Sequence, residues 1–131
     1  INDCSTQRNL SDEGREQSKK IGIFFKENDI PISLVISSEW CRCKETANIA
    51  FKDFETKDFL NSFYSSQFAK NKKIQINNLR KYINNWKSDK NLVLITHYVL
   101  ISEVLDYAPN SGEIVIANKD FKKIGNFEIE Y

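Results

Sequence analysis

Two short apolar runs constrain this chain more than anything else in it. SLVISS (residues 33–38) and NLVLITH (residues 91–97) are continuous in their hydrophobicity, and each gives way to polar side chains at its end. An unbroken apolar run of this length suits a strand covered on both faces, as in a parallel sheet. The segments around them carry apolar residues at helical spacing. Ser11 reads as an N-cap, Asp12 and Glu13 favour the positive end of the helix it opens, and Ile21, Phe24 and Phe25 form its core stripe. Residues 29–31 end that helix. Residues 39–51 are helical in character, with Ala47 and Ala50 on a packable face. Residues 74–86 form an amphipathic helix through Ile76, Leu79, Ile83 and Trp86, and residues 99–105 a short one. Residues 112–117 and 126–131 read as further strands joined by 118–125. Alternation of strands and helices argues an α/β architecture. Residues 52–71 have no clear period and read as a long loop with a short strand or helical turn, a kind of segment that is often functional.

A length of 131 residues fits a single domain over 1–131. A chain of this size buries about two-thirds of its unfolded surface, enough for a core without staples. A net charge of +1 with interspersed signs gives no electrostatic ground for a nucleic acid or an anionic membrane as partner. Lys70, Lys72 and Lys73 read as a solvated face. No apolar run approaches the roughly 18 residues of a membrane span. The chain begins at Ile1 and contains no Met, as a processed or truncated chain would.

Cys4, Cys41 and Cys43 with one His make a thin set for zinc, which takes four ligands or three plus water. The leading reading is of buried or free thiols. The alternative is a Cys4–Cys41 disulfide, which leaves Cys43 unpaired and implies an oxidising compartment.

The chemistry lies at the ends of the two apolar runs. The first ends in Ser37 and Ser38 and leads into a helix carrying Arg42. The second ends in Thr96 and His97. Ligands of open α/β sheets bind outside the strands' C-terminal ends, so Arg42 and His97 are expected to converge there. An Arg grips phosphate through a bidentate fork. A His beside it donates to phosphate when protonated, or exchanges a proton near neutral pH. The alternatives are a core imidazole satisfied by backbone and a surface arginine.

Three stretches, in order, resemble the histidine phosphatase (phosphoglycerate-mutase-like) superfamily. LSDEGREQS is similar to its L-[ST]-x-x-G-x-x-Q-[AS] helix start, at Leu10, Ser11, Gly14 and Gln17. SSEWCRCKETA is similar to its S-x-x-x-R-x-x-x-T-A helix, at Ser38, Arg42, Thr46 and Ala47. LVLITHYVLI is similar to its strand ending in a catalytic His. DCSTQRNLS, WCRCKETA and SGEIV resemble a bacterial branch of which many members look exported.

The resemblance implies a three-layer α/β/α fold with a mostly parallel sheet, Arg42 as a phosphate-binding arginine, and His97 as the second histidine holding the phosphoryl group. It gives Thr46 and Gln17 structural roles. It also explains Gly14, whose helix-propensity cost is about 1 kcal/mol, by close packing against neighbouring backbone. Tyr98 stands where the family often has Gly. The Arg-His-Gly strand that opens the family, with the nucleophile, has no counterpart before Leu10, and no second His follows. That strand is central in the family, so its loss is expected to leave two strands with unpaired backbone, and the natural protein is expected to extend upstream. Arg8 is a candidate for added positive charge at the pocket. Glu45, Glu55 and Asp58 are candidates for the general acid, though none matches a motif well. No metal or organic cofactor is implied, because arginines supply the positive charge. The implied activity is phosphoric-monoester hydrolysis through a phosphohistidine, on a small-molecule or protein ester. The alternatives are a catalytically inactive relative that binds a phosphorylated ligand or a partner protein, and a phosphomutase.

Overall fold

The computed structural model describes residues 3–63 and 70–129. The two apolar runs form β1 (Ile32–Ser37) and β3 (Asn91–Ile95), and β2 (Glu55–Thr56) joins them in the order β2-β1-β3. All pairings in this sheet are parallel. Leu34, Val35, Ile36 and Ser37 of β1 stand opposite Leu92, Val93, Leu94 and Ile95, and Ile36 and Ser37 stand opposite Glu55 and Thr56. Val35 and Ile36 point to opposite faces of the pleat, yet both are buried. Both faces of β1 are therefore covered, which is why its sequence does not alternate.

Among the described residues, four helices flank the strands: α1 (Asp12–Glu27), α2 (Cys41–Phe51), α3 (Lys72–Asn85) and α4 (Tyr98–Leu105). None of these helices is long and apolar enough to cross a membrane. One core joins Ile36 to Leu79 of α3, Leu100 of α4, and Phe59, Leu60 and Phe63 of the segment after β2. The stretch 52–71, read as a loop with a short strand or helical turn, holds β2 and a 3-10 turn (Asp58–Leu60); its residues 64–69 lie outside the described ones. α2 packs against β1 and β3, and α1 packs against α2. Phe25 meets Phe51 edge-on at 5.2 Å, and Phe24 lies 5.0 Å from Phe127.

Ser11 caps α1 as expected, its Oγ accepting from the Gly14 N–H at 3.0 Å. Gly14, however, faces the side chains of Leu10 and Ser11, not backbone. The close approach is at Gly22, where a Cβ would stand 2.3 Å from the Ala50 carbonyl oxygen. There α1 and α2 cross with no room for a side chain.

The C-terminal strands also depart from expectation. They form a separate antiparallel hairpin of β4 (Ile114–Ala117) and β5 (Lys123–Phe127). β5 begins three residues before the expected strand, and residues 130–131 of that expectation lie outside the described ones. The connection, expected over 118–125, is a tighter turn over 118–122. Asn118 Oδ1 accepts from the Asp120 and Lys122 N–H groups, and Phe121 adopts φ 60°, so the ladder resumes at Lys123. Among the described residues, β3 pairs only with β1 and the hairpin only with itself.

The cysteines correct the thiol reading. Cys4 and Cys41 form a disulfide, and Cys43 is free and buried. The bond ties the N-terminal turn (Cys4–Thr6) to the first residue of α2.

Candidate active site

Parallel strands bring their C-terminal ends to one edge of the sheet, and the polar residues after β1 and β3 meet there. Ser38 continues the ladder, its N–H donating to the Ile95 carbonyl at 2.9 Å. β3 stops two residues short of the expected end. Thr96 turns its hydroxyl to the Leu60 carbonyl, and His97 becomes the N-cap residue of α4. α2 carries Arg42 one position into its first turn. Trp40, its N-cap residue, offers no side-chain cap, and the Cys41 N–H instead donates to Gln7 Oε1 at 2.8 Å.

Arg42 and His97 are brought together as expected: Arg42 Nη2 stands 2.9 Å from His97 Nδ1. Guanidinium nitrogens only donate, so Nδ1 accepts and is unprotonated. The imidazole hydrogen is then on Nε2, which donates to Ser38 Oγ at 2.8 Å. The Trp40 ring lies edge-on to the imidazole, with centroids 6.0 Å apart, and the Arg42 guanidinium sits 5.6 Å from the Trp40 centroid. His97 is 5% exposed. Burial first, and the Arg42 charge second, push its pKa down to about 4. In the ligand-free protein His97 is therefore neutral at pH 7.

The Cys43 Sγ lies 3.7 Å from His97 Nε2. Burial pushes this thiol up to about 11, partly offset by Arg42. At neutral pH it is a thiol, not a thiolate nucleophile.

No contact joins the other expected charged site residues to this pair among the described hydrogen bonds and ion pairs. Arg8 is exposed on the loop before α1. Glu45 accepts from Arg15 Nε at 2.9 Å, which ties α2 to α1. Glu55 is exposed on β2, with Lys57 Nζ at 3.8 Å, and Asp58 is exposed at the start of the 3-10 turn. Thr46 donates to the Arg42 carbonyl one turn back, and Gln17 reaches the Ser111 carbonyl, both in the structural roles expected.

Sequence reasoning missed Glu39 and Asn61, which flank Ser38. Asn61 Oδ1 accepts from Ser38 Oγ and from the Glu39 N–H, and its Nδ2 donates to Glu39 Oε1. Glu39 lies inside the SSEWCRCKETA stretch, where the motif leaves the position open. Asn61 falls in the aperiodic segment, which offers no local signal.

The sequence matches the Histidine phosphatase superfamily (branch 1) over residues 4–91. That span takes in Arg42 and stops short of His97, so the placement of His97 rests on geometry and the resemblance of its own strand. No curated protein matches the sequence. Among solved structures, TTHB049 from Thermus thermophilus superposes with a TM-score of 0.69 at 15% identity, over 95% of this chain and 87% of that one. The protein histidine phosphatase SixA, complexed with tungstate, gives 0.60 at 15% identity over 92% of this chain and 84% of its own. The open reading frame Rv3214 from Mycobacterium tuberculosis gives 0.53 at 15% identity over 76% of this chain and 68% of its own. At such identity these likenesses establish the fold: α/β with a mostly parallel sheet. With the family match covering well over half of its residues, the chain belongs to the histidine phosphatase superfamily.

Proposed function

We propose that Arg42 and His97 form the phosphate-holding half of a phosphoric-monoester hydrolase whose nucleophilic histidine lies outside these 131 residues. The observation that carries this reading is the 2.9 Å contact between Arg42 Nη2 and His97 Nδ1 at the C-terminal edge of parallel strands. An oxyanion entering there takes the guanidinium's donors, and His97 Nδ1, freed from Arg42, takes a proton and donates it to a second phosphate oxygen. Among the described residues β3 pairs on one side only, and this supports the same reading, because a strand laid parallel along its other side would end beside His97.

In this reading the histidine nitrogen attacks phosphorus and the ester P–O bond breaks. The leaving oxygen takes a proton from solvent or from an acid. Water then attacks the phosphohistidine, releasing inorganic phosphate and regenerating the histidine. Arg42 and His97 stabilise the charge on the equatorial oxygens throughout, so that electrostatic preorganisation supplies most of the rate. Arg8 is an accessory at most, being exposed on its loop. With Glu45 engaged by Arg15, and Glu55 and Asp58 exposed, the reading favours esters whose leaving group needs little protonation. The Cys4–Cys41 disulfide suits an oxidising compartment and an exported protein.

The second reading, a binding protein without turnover, is favoured by one observation: the 131 residues contain a single His. The product of the complete reading frame, assayed with p-nitrophenyl phosphate, separates the two. Hydrolysis that His97→Ala removes supports the hydrolase. Binding of inorganic phosphate without hydrolysis supports the second reading, and hydrolysis untouched by His97→Ala overturns the role given to His97.

A further inference from the structure

The hydrogen bonds around His97 run in one direction, from Arg42 as donor at one end to Asn61 as acceptor at the other. Arg42 donates to Nδ1, so Nε2 carries the hydrogen and Ser38 Oγ accepts it at 2.8 Å. Ser38 Oγ also accepts from the Trp40 N–H at 3.1 Å. A hydroxyl has two lone pairs and one hydrogen. With both lone pairs in use, the Ser38 hydrogen needs an acceptor, and Asn61 Oδ1 stands 3.1 Å away. The Asn61 amide cannot flip without loss, because Oδ1 also accepts from the Glu39 N–H at 2.8 Å and Nδ2 donates to Glu39 Oε1 at 2.9 Å. Its backbone is held as well: its N–H donates to the Asp58 carbonyl, and its carbonyl accepts from the Gln75 side chain of α3.

We infer that Asn61 is a positioning residue for His97, acting through Ser38 to keep the imidazole hydrogen on Nε2 and to leave Nδ1 bare beside Arg42. Without its oxygen the Ser38 hydroxyl is free to turn its hydrogen toward His97 Nε2. Arg42 alone then opposes the other tautomer, which has a hydrogen on Nδ1 facing its N–H group, and that tautomer gains population. Two donors would then face each other where phosphate is to enter. The inference rests on reading the Arg42–His97 pair as a phosphate site, and it adds a residue, far from either motif, that prepares the pair for its ligand.

His97 is the one imidazole in these 131 residues, and its ring nitrogens are read by 15N NMR, assigned in the complete protein by the signals that His97→Gln removes. At pH 7 the wild type should show a protonated Nε2 and a bare Nδ1. Asn61→Ala should shift the signals toward the other tautomer and weaken inorganic phosphate binding about tenfold, the equivalent of one hydrogen bond. Asn61→Asp keeps the oxygen and should restore the wild-type tautomer. Ser38→Ala cuts the same path and should release the tautomer, which decides the matter if Asn61→Ala does not fold. A folded Asn61→Ala with wild-type ring signals overturns the inference, as does Ser38→Ala with Nε2 still the protonated nitrogen. Failure of the wild type to bind phosphate overturns the site reading instead, and leaves the tautomer result to judge Asn61 alone.

Discussion

Lowering the pH from 7 to 5 should remove about 2 kcal/mol of folding stability through His97 alone. Its pKa is about 4 in the folded chain, depressed by burial and then by Arg42, against the 6.5 of an ordinary imidazole. Between those values the unfolded chain binds a proton that the folded chain refuses. The contribution is therefore complete above pH 6.5 and is lost as pH falls toward 4, where the full loss is about 3 kcal/mol at 1.36 kcal/mol per unit. Two carboxylates with depressed pKa values, Asp3 and Glu113, lose their stabilisation at lower pH, below the ordinary 3.8 and 4.5 of such groups. Urea melts at pH 7, 6 and 5 on the wild type and on His97→Gln isolate the effect, because the variant carries no titrating ring. The wild type should lose stability across this range and the variant should hold nearly constant. Equal slopes for the two proteins would refute the burial of a neutral imidazole beside Arg42.

Other outcomes follow from single contacts. Reducing the Cys4–Cys41 disulfide, or replacing both residues by Ser, should cost about 4 kcal/mol by chain entropy for a separation of 37 residues, read as a lower urea midpoint. Gly22→Ala should destabilise by about 1–3 kcal/mol, although Ala is the better helix former, because its Cβ would meet the Ala50 carbonyl; a thermal melt unchanged from wild type would contradict the crossing of α1 on α2. Arg42→Ala should raise the His97 pKa while leaving it below 6.5, since burial is the larger cause of its depression; an NMR titration reads this directly.

What could be read from the sequence follows from what leaves a local trace. β1 and β3 showed as unbroken apolar runs because Val35 and Ile36 are buried on opposite faces. Arg42 and His97 could be paired across 55 residues because parallel strands gather their C-terminal ends. Gly14 drew attention for its cost in a helix, but the glycine at the helix crossing was Gly22, and only tertiary packing reveals it. Gln7 caps α2 from 34 residues away, and no pattern along the chain announces such a contact. Asn61 is hidden for the same reason, within a segment whose order comes from α3 and from the residues around Ser38. The start of β5 differs from the expected one because the Asn118 side chain closes the turn early, so that Lys123–Gly125 join the ladder, and no local pattern marks such a side-chain contact.

The most direct test of the proposed site is the pKa of His97 measured by NMR with and without inorganic phosphate. If Arg42 and His97 hold the phosphoryl group together, phosphate displaces Arg42 from Nδ1, the ring takes up a proton, and the pKa rises well above its ligand-free value of about 4. Arg42→Ala should abolish that rise. An identical titration curve at saturating phosphate would mean that the pair is a buried structural contact and not a phosphate site.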